Sequence, residues 1–287
     1  MLKDDAVSHK FILVICDPQH PGQIGRIFTS MEWFVKQDSI VRKIWGSADT
    51  ILLIFGGAAA EFALNKAVDW LYFTGRLPAD PIGRLFSTVT YARRIVFATA
   101  DEANTTINKI RLIHTGVESN RGFQIPDWAY RDVLFMLIHY SIRSFELLNR
   151  RLTDTEKEEV FNVFYRVGSG MQVKDLPGTY REWLPVYQQH LNDDLAKSAY
   201  TVDLYKQYKK HLGVMRYRIL VESQILVVPR KVKQLLGLER PSLMKPFIPV
   251  YKLTAKLNAD RWLMSAMLPE NYRKQIMDLN QTETARN

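Results

Sequence analysis

The sequence predicts an all-α fold in one large domain, and three observations predict it. Apolar residues recur at three- and four-residue spacing from about residue 38 onward. Helix-start signals precede several of these runs, Asp80-Pro81 and Thr153 with Glu156 among them. Only one short run, "FILVIC", reads as a strand.

The elements follow in order along the chain. "SIVRKIWG" is a short helix that Gly46 stops. An apolar helix runs from Thr50 to about Thr74, with a break expected near Gly56-Gly57 and a turn cluster at "TGRLPADP". Asp80 caps the next helix, and Pro81 sits in its first turn, where a missing N–H costs nothing. On that helix Arg84, Thr88 and Tyr91 are spaced four and three apart, so they share a face. The helix Ala100–Val117 aligns Ala103, Ile107, Ile110, His114 and Val117 in the same way. "ESNRGFQIPDW" is a loop, and Pro126 opens a helix reaching about Arg150. Thr153 and Glu156 form a capping box for a helix that ends near "GSG". Helices over about Thr179–Leu191, Leu195–Leu212 and Met215–Leu236 follow, "ERPSLMKPFIP" is irregular, and "LPENYRKQIMDL" closes the fold. Residues 1–37 read as an N-terminal extension packing on a helical domain at 38–287.

Composition narrows the function. A chain of 287 residues buries a substantial core. Its 11% aromatic content suits a well-filled core first and an apolar pocket second. The single cysteine, Cys16, rules out an internal disulfide framework and cysteine-rich zinc or iron–sulfur sites. The net charge of +9 is spread over scattered pairs such as Arg93-Arg94, Arg150-Arg151 and Lys209-Lys210, without a nucleic-acid-binding signature. A solvated basic surface with no nucleic-acid partner is the reading. A peripheral membrane contact stays open for the mixed apolar and basic stretch "LVVPRKVKQLLGLERPSLMKPFIPVYKL". "FILVIC" is too short for a secretory signal, and the longest apolar run, Ile51 to Leu64, contains Glu61 and is too short to span a bilayer. A cytoplasmic location is expected, and the oligomeric state is left open.

The motifs of common nucleotide, hydrolase and zinc-peptidase chemistry are missing. Of six histidines, the helical pattern points only His114 and His139 inward, and no repeated Glu/His pairing supports a di-metal centre. One inward imidazole among apolar residues is what an axial haem ligand looks like, and it is also what a core histidine looks like. Arg-x-x-x-Thr spacing arises by chance on any helix.

From about Thr50 to Leu191 the chain resembles the rubber-oxygenase (MpaB-type) catalytic domain family. That family includes the bacterial latex-clearing proteins and the fungal oxygenase that cleaves a prenyl chain in mycophenolic acid biosynthesis. The elements that carry the likeness stand in the family's order: "ILLIFGGAAAEFAL", "DPIGRLFSTVTYARRIVFATADEA", "KIRLIHTGV", "WAYRDVLFMLIHYSIRSFELL" and "RLTDTEKEEVFNVFYRVG". The resemblance implies an all-α fold holding haem b, its iron ligated by His114. It implies an oxygenase that acts with dioxygen on a hydrophobic, unsaturated small molecule. Arg84 and Thr88 match the residues beside the haem, Arg84 at a propionate or on the oxygen side, and Thr88 offering a hydroxyl. His139 matches a second family histidine and reads as a supporting group rather than a ligand. Two departures stand out: Asn65 and Lys66 occupy the place of a His-Pro pair, and Ser87 the place of a lysine found in latex-clearing proteins. Asp69 lies near the position of a proposed catalytic base, where a solvated carboxylate is the plainer reading. The alternative function is a non-catalytic haem- or lipid-binding helical protein.

Overall fold

The computed structural model describes residues 32–255, and their architecture is helical. The helices are α1 (Ile40–Gly46), α2 (Ala48–Phe62), α3 (Asp69–Phe73), α4 (Arg76–Ala79), α5 (Pro81–Val96) and α6 (Ala100–Arg121), followed by α7 (Asp127–Leu148), α8 (Asp154–Gly170), α9 (Tyr180–Asp193), α10 (Ala199–Val227), α11 (Arg230–Leu236) and α12 (Ile248–Ala255). Among the described residues, strand pairing is limited to two isolated bridges, Trp33 with Thr99 and Asn65 with Leu195. The strand candidate "FILVIC" and the closing segment "LPENYRKQIMDL" lie outside the described residues, as does most of the 1–37 extension. Of its described residues Phe34 and Val35 are buried, and the Phe34 N–H donates to the Ala98 carbonyl at 3.1 Å.

Helix α2 is the centre of the described helices. Twelve of its fifteen residues are buried, so it needs partners on every side, and α7 and α10 are the main ones. Gly56 and Gly57 do not break it. The Tyr140 ring of α7 lies where a side chain at position 57 would begin, since a Cβ there would meet Tyr140 Cδ1 at 2.3 Å. The glycines bring helices close together, and the break comes later, at the residues following Phe62. A 3₁₀ turn at Lys66–Val68, capped by Asn65, leads into α3.

The start signals act as read. Asp80 Oδ1 accepts the Gly83 N–H at 2.8 Å, with Pro81 in the first turn of α5. Thr153 and Glu156 close a capping box on α8, and Thr99 with Glu102 closes another on α6. The turn cluster before Asp80 contains the short helix α4. Helix α10 runs through both segments expected at 195–236 as far as Val227, with a kink at Gly213 (φ 73°), and α11 is separate. On the basic surface Arg94, Arg150, Lys209 and Lys210 are exposed. Arg93 is the exception: it is buried and donates to the Trp45 carbonyl at 2.8 Å. No helix among the described residues is long and apolar enough to cross a membrane.

Candidate active site

Helix α5 shows two different faces. Ile82, Leu85, Phe86 and Val89 line an apolar recess closed by Ile51 and Phe55 of α2 and by Tyr208 and Leu212 of α10. Counting the space open to solvent, the recess measures about 720 Å³. Arg84, Thr88 and Tyr91 lie about 140° round the helix from that wall, on the other side of the backbone.

Arg84 is half-buried, and its partners are hydroxyls. Its guanidinium donates to Ser87 Oγ at 3.0 Å and Thr88 Oγ1 at 3.4 Å, and no carboxylate pairs with it among the described residues. Burial lowers its pKa, and the nearby charge of Arg76 lowers it further. A desolvated cation without an anion is a place where an anionic group binds well. Ser87 is tied to its own helix, its hydroxyl donating to the Arg84 carbonyl at 2.7 Å.

His114 projects from α6, the next helix. The face predicted for α6 is deeply buried at Ala103 and Ile107 and half-buried at Ile110, His114 and Val117. His114 Nδ1 lies 2.9 Å from the Ile110 carbonyl oxygen. A carbonyl only accepts, so the proton sits on Nδ1 and the Nε2 lone pair of the neutral ring is free. Burial lowers the His114 pKa and the Arg84 charge adds to this, while the Ile110 hydrogen bond and Glu118 oppose it. The Arg84 guanidinium is therefore within electrostatic reach of the imidazole. Tyr130 of α7 stands edge-on to His114 at 5.2 Å between centroids. Its hydroxyl donates to Glu118 Oε1 at 3.0 Å, which ties α7 to α6 one turn beyond His114.

His139 has other company. It stacks on Tyr187 at 4.8 Å and meets Tyr140 edge-on at 4.9 Å, and its Nε2 is buried without a hydrogen-bond partner. Burial lowers its pKa to about 4, with Arg143 adding to the shift and Glu61 opposing it, so the ring is neutral. It shares none of these neighbours with His114. Asp69 is half-exposed and paired with Arg121 at 2.7 Å, while the Arg121 guanidinium lies 4.0 Å above the Trp70 ring.

A second polar group was not legible in the sequence. Glu61, fully buried on α2, accepts hydrogen bonds from Tyr140 at 2.7 Å and Tyr187 at 2.9 Å on Oε2, and faces His190 Nε2 with Oε1 at 3.2 Å. His190 Nδ1 faces Asp132 Oδ1 at 2.8 Å and Asp194 Oδ2 at 3.3 Å. Asn65 donates to Asp132 Oδ2 at 2.7 Å. Burial lowers the His190 pKa, but hydrogen bonds to Asp132 and Glu61 outweigh it and raise it to about 10. His190 is 3% exposed, so it points inward as well, beyond the two histidines the helical pattern singled out. Of this group only His190 left a local trace in the sequence, since Trp183, Tyr187, His190 and Leu191 are the buried residues of α9 at spacings of four, three and one. Tyr180, Trp183 and Tyr187 stack in sequence at 5.3 and 4.9 Å, leading to the His190 ring.

The family model described as ER-bound oxygenase mpaB/B'/Rubber oxygenase, catalytic domain, matches residues 43–278. The chain belongs to that family. No curated protein and no solved structure matches it. The family match spans both polar groups: the α5–α6 face with Arg84, Thr88 and His114, and the buried group around Glu61 and His190. Both therefore lie within an oxygenase catalytic domain.

Proposed function

We propose that this protein is a haem b-dependent oxygenase that uses dioxygen to oxidise a hydrophobic, unsaturated small molecule. The observation that carries the reading is an open Nε2 on neutral His114 within electrostatic reach of the Arg84 guanidinium, which no carboxylate pairs among the described residues. Those residues fit haem b: an imidazole nitrogen for the iron and a planar cation for a propionate. We assign the haem-binding domain to residues 38–287, with 1–37 as its extension.

When bound, haem b supplies the activation of dioxygen needed to oxidise an alkene. The chain's residues orient and shield. His114 donates its Nε2 lone pair, and its Nδ1–H bond to Ile110 holds the tautomer and ring orientation. Arg84 offers two parallel N–H groups to a carboxylate. The two contacts between Thr88 Oγ1 and Arg84 are both long, 3.4 Å, which leaves the hydroxyl free to turn toward a bound ligand. The Ser87 hydroxyl is short and committed to its helix, so it does not take the role of the lysine in latex-clearing proteins. His139 supports the core through Tyr140 and Tyr187.

The test is an absorption spectrum of the protein, oxidised and reduced, with a pyridine haemochrome assay. A haem band is expected in the wild type, lost or shifted in His114→Ala and retained in His139→Ala. A colourless protein that takes up no added haem would overturn the proposal.

One observation favours a second reading, a non-catalytic lipid-binding protein. The apolar recess lies behind α5, screened by that helix from His114. Arg216 at its edge has a buried Nε with no partner, suited to an anionic head group. A fatty acid retained through purification, with no oxygen-dependent product, would support this reading.

A further inference from the structure

We propose that Asp132, His190 and Asp194 form a site for a divalent transition-metal ion, zinc(II) foremost, separate from the His114 face. Asp132 comes from α7, His190 from α9, and Asp194 from the residue that ends α9. One oxygen of each carboxylate and Nδ1 of the imidazole all lie within 4.8 Å of one another. A small movement of each side chain would admit an ion with one nitrogen and two oxygen ligands. That donor set suits zinc and its neighbours, and it does not suit calcium or magnesium, which take oxygen.

The surroundings prepare these atoms for an ion. Glu61 at His190 Nε2 holds a proton on that nitrogen, so an ion that displaces the Nδ1 proton finds Nδ1 facing Asp132 and Asp194 as its ligand atom. Glu61 is held in turn by Tyr140 and Tyr187, giving the carboxylate–histidine support that metal ligands use. Asn65 occupies Asp132 Oδ2 and leaves Oδ1 facing His190, while Asn65 Oδ1 accepts the Ala67 N–H at 2.8 Å, which fixes the amide. Main-chain bonds from Lys66 N–H to the Asp194 carbonyl at 2.9 Å, and from Ala196 N–H to the Leu64 carbonyl at 2.8 Å, anchor the third ligand.

Charge gives the second argument. Three carboxylates converge on one imidazole, and among the described residues no lysine or arginine pairs with Glu61, Asp132 or Asp194. Even a protonated imidazole would balance only one of the three. A divalent ion in place of its Nδ1 proton adds a further positive charge where Asp132, 2% exposed, has lost its water. The Asp194 side chain is 25% exposed, so the site is reachable from solvent on that side. Such an ion would clamp α7 to α9 beside the end of α2.

The test is elemental analysis of the purified protein, followed by chelation and calorimetric titration with zinc chloride. About one zinc per chain is expected, with rebinding after chelation and a higher melting temperature. Asp194→Asn, at the half-exposed ligand, should keep the fold and weaken zinc binding by about tenfold or more. Circular dichroism of the variant separates lost binding from lost folding, and Asp194→Glu should recover part of the affinity. Absence of stoichiometric zinc binding, or an Asp194→Asn variant that binds as the wild type does, would overturn the site. The haem spectrum of the same sample is a separate reading: zinc without haem supports this site and not the oxygenase.

Discussion

His114 and His190 stand on neighbouring parts of one helical molecule, and their surroundings differ in kind. Around His114 the bonding is incomplete. One ring nitrogen is satisfied by a backbone carbonyl, the other is open, and the nearby Arg84 has hydroxyls where a carboxylate would be expected. Around His190 both nitrogens face carboxylates, and the Glu61 behind it is held by two tyrosines. Unfilled bonding capacity at a half-buried face is a sign of a missing ligand. A filled network in the core is a sign of what holds the fold in register, and its remaining imbalance is one of charge.

That contrast predicts opposite costs for mutation. Glu61→Ala should have the largest effect on stability, about 3–5 kcal/mol by denaturant unfolding, because it leaves His190 and two tyrosine hydroxyls buried without their shared partner. Gly57→Ala should come next, at about 1–3 kcal/mol, because the new Cβ collides with the Tyr140 ring and pushes α2 from α7. Arg84→Leu should reverse the pattern. Its stability should change by less than about 1 kcal/mol, since no ion pair is lost. Haem titration should show about tenfold weaker binding, ~1.4 kcal/mol. An equal loss of stability in Arg84→Leu and Glu61→Ala would erase the distinction between the two regions.

His139 differs from both in a way that shows only below neutral pH. His139 has a folded pKa of about 4, lowered by burial from the ordinary 6.5. The unfolded chain therefore binds more protons between those values. The stability linked to His139 is fully present above about pH 6.5 and is lost as pH falls through the folded value. Melting temperatures between pH 7 and 4 should fall more steeply in the wild type than in His139→Gln. Parallel curves would mean that His139 is not the group being protonated.

What could be read from the sequence follows the distance between interacting residues. Caps are local, so Asp80, Thr153 and Glu156 announced their helices correctly. The α5 stripe and the α6 face were local too, and the family resemblance drew Arg84 and His114 together. The Glu61 group had no such signature, because its members come from α2, the turn after it, α7 and α9, with dozens of residues between them. Each looked ordinary alone: Glu61 as an interruption of an apolar run, Asn65 as a departure from a family pair. Gly56-Gly57 misled for the same reason. Glycine's flexibility is a local property, while the Tyr140 ring that requires its small size is 83 positions away, the difference between residues 140 and 57.

The stack of Tyr180, Trp183 and Tyr187 has an optical consequence. Trp183 is 1% exposed, lies between two tyrosine rings, and has an indole N–H without a hydrogen-bond partner. An indole kept from water in this way emits to the blue and accepts excitation energy from the tyrosines beside it. Its share of the emission of six tryptophans, isolated by difference from a Trp183→Phe variant, reports on the docking of α9, the helix that carries His190. The protein therefore contains its own fluorescent gauge of that contact, placed four residues before Tyr187 and seven before His190.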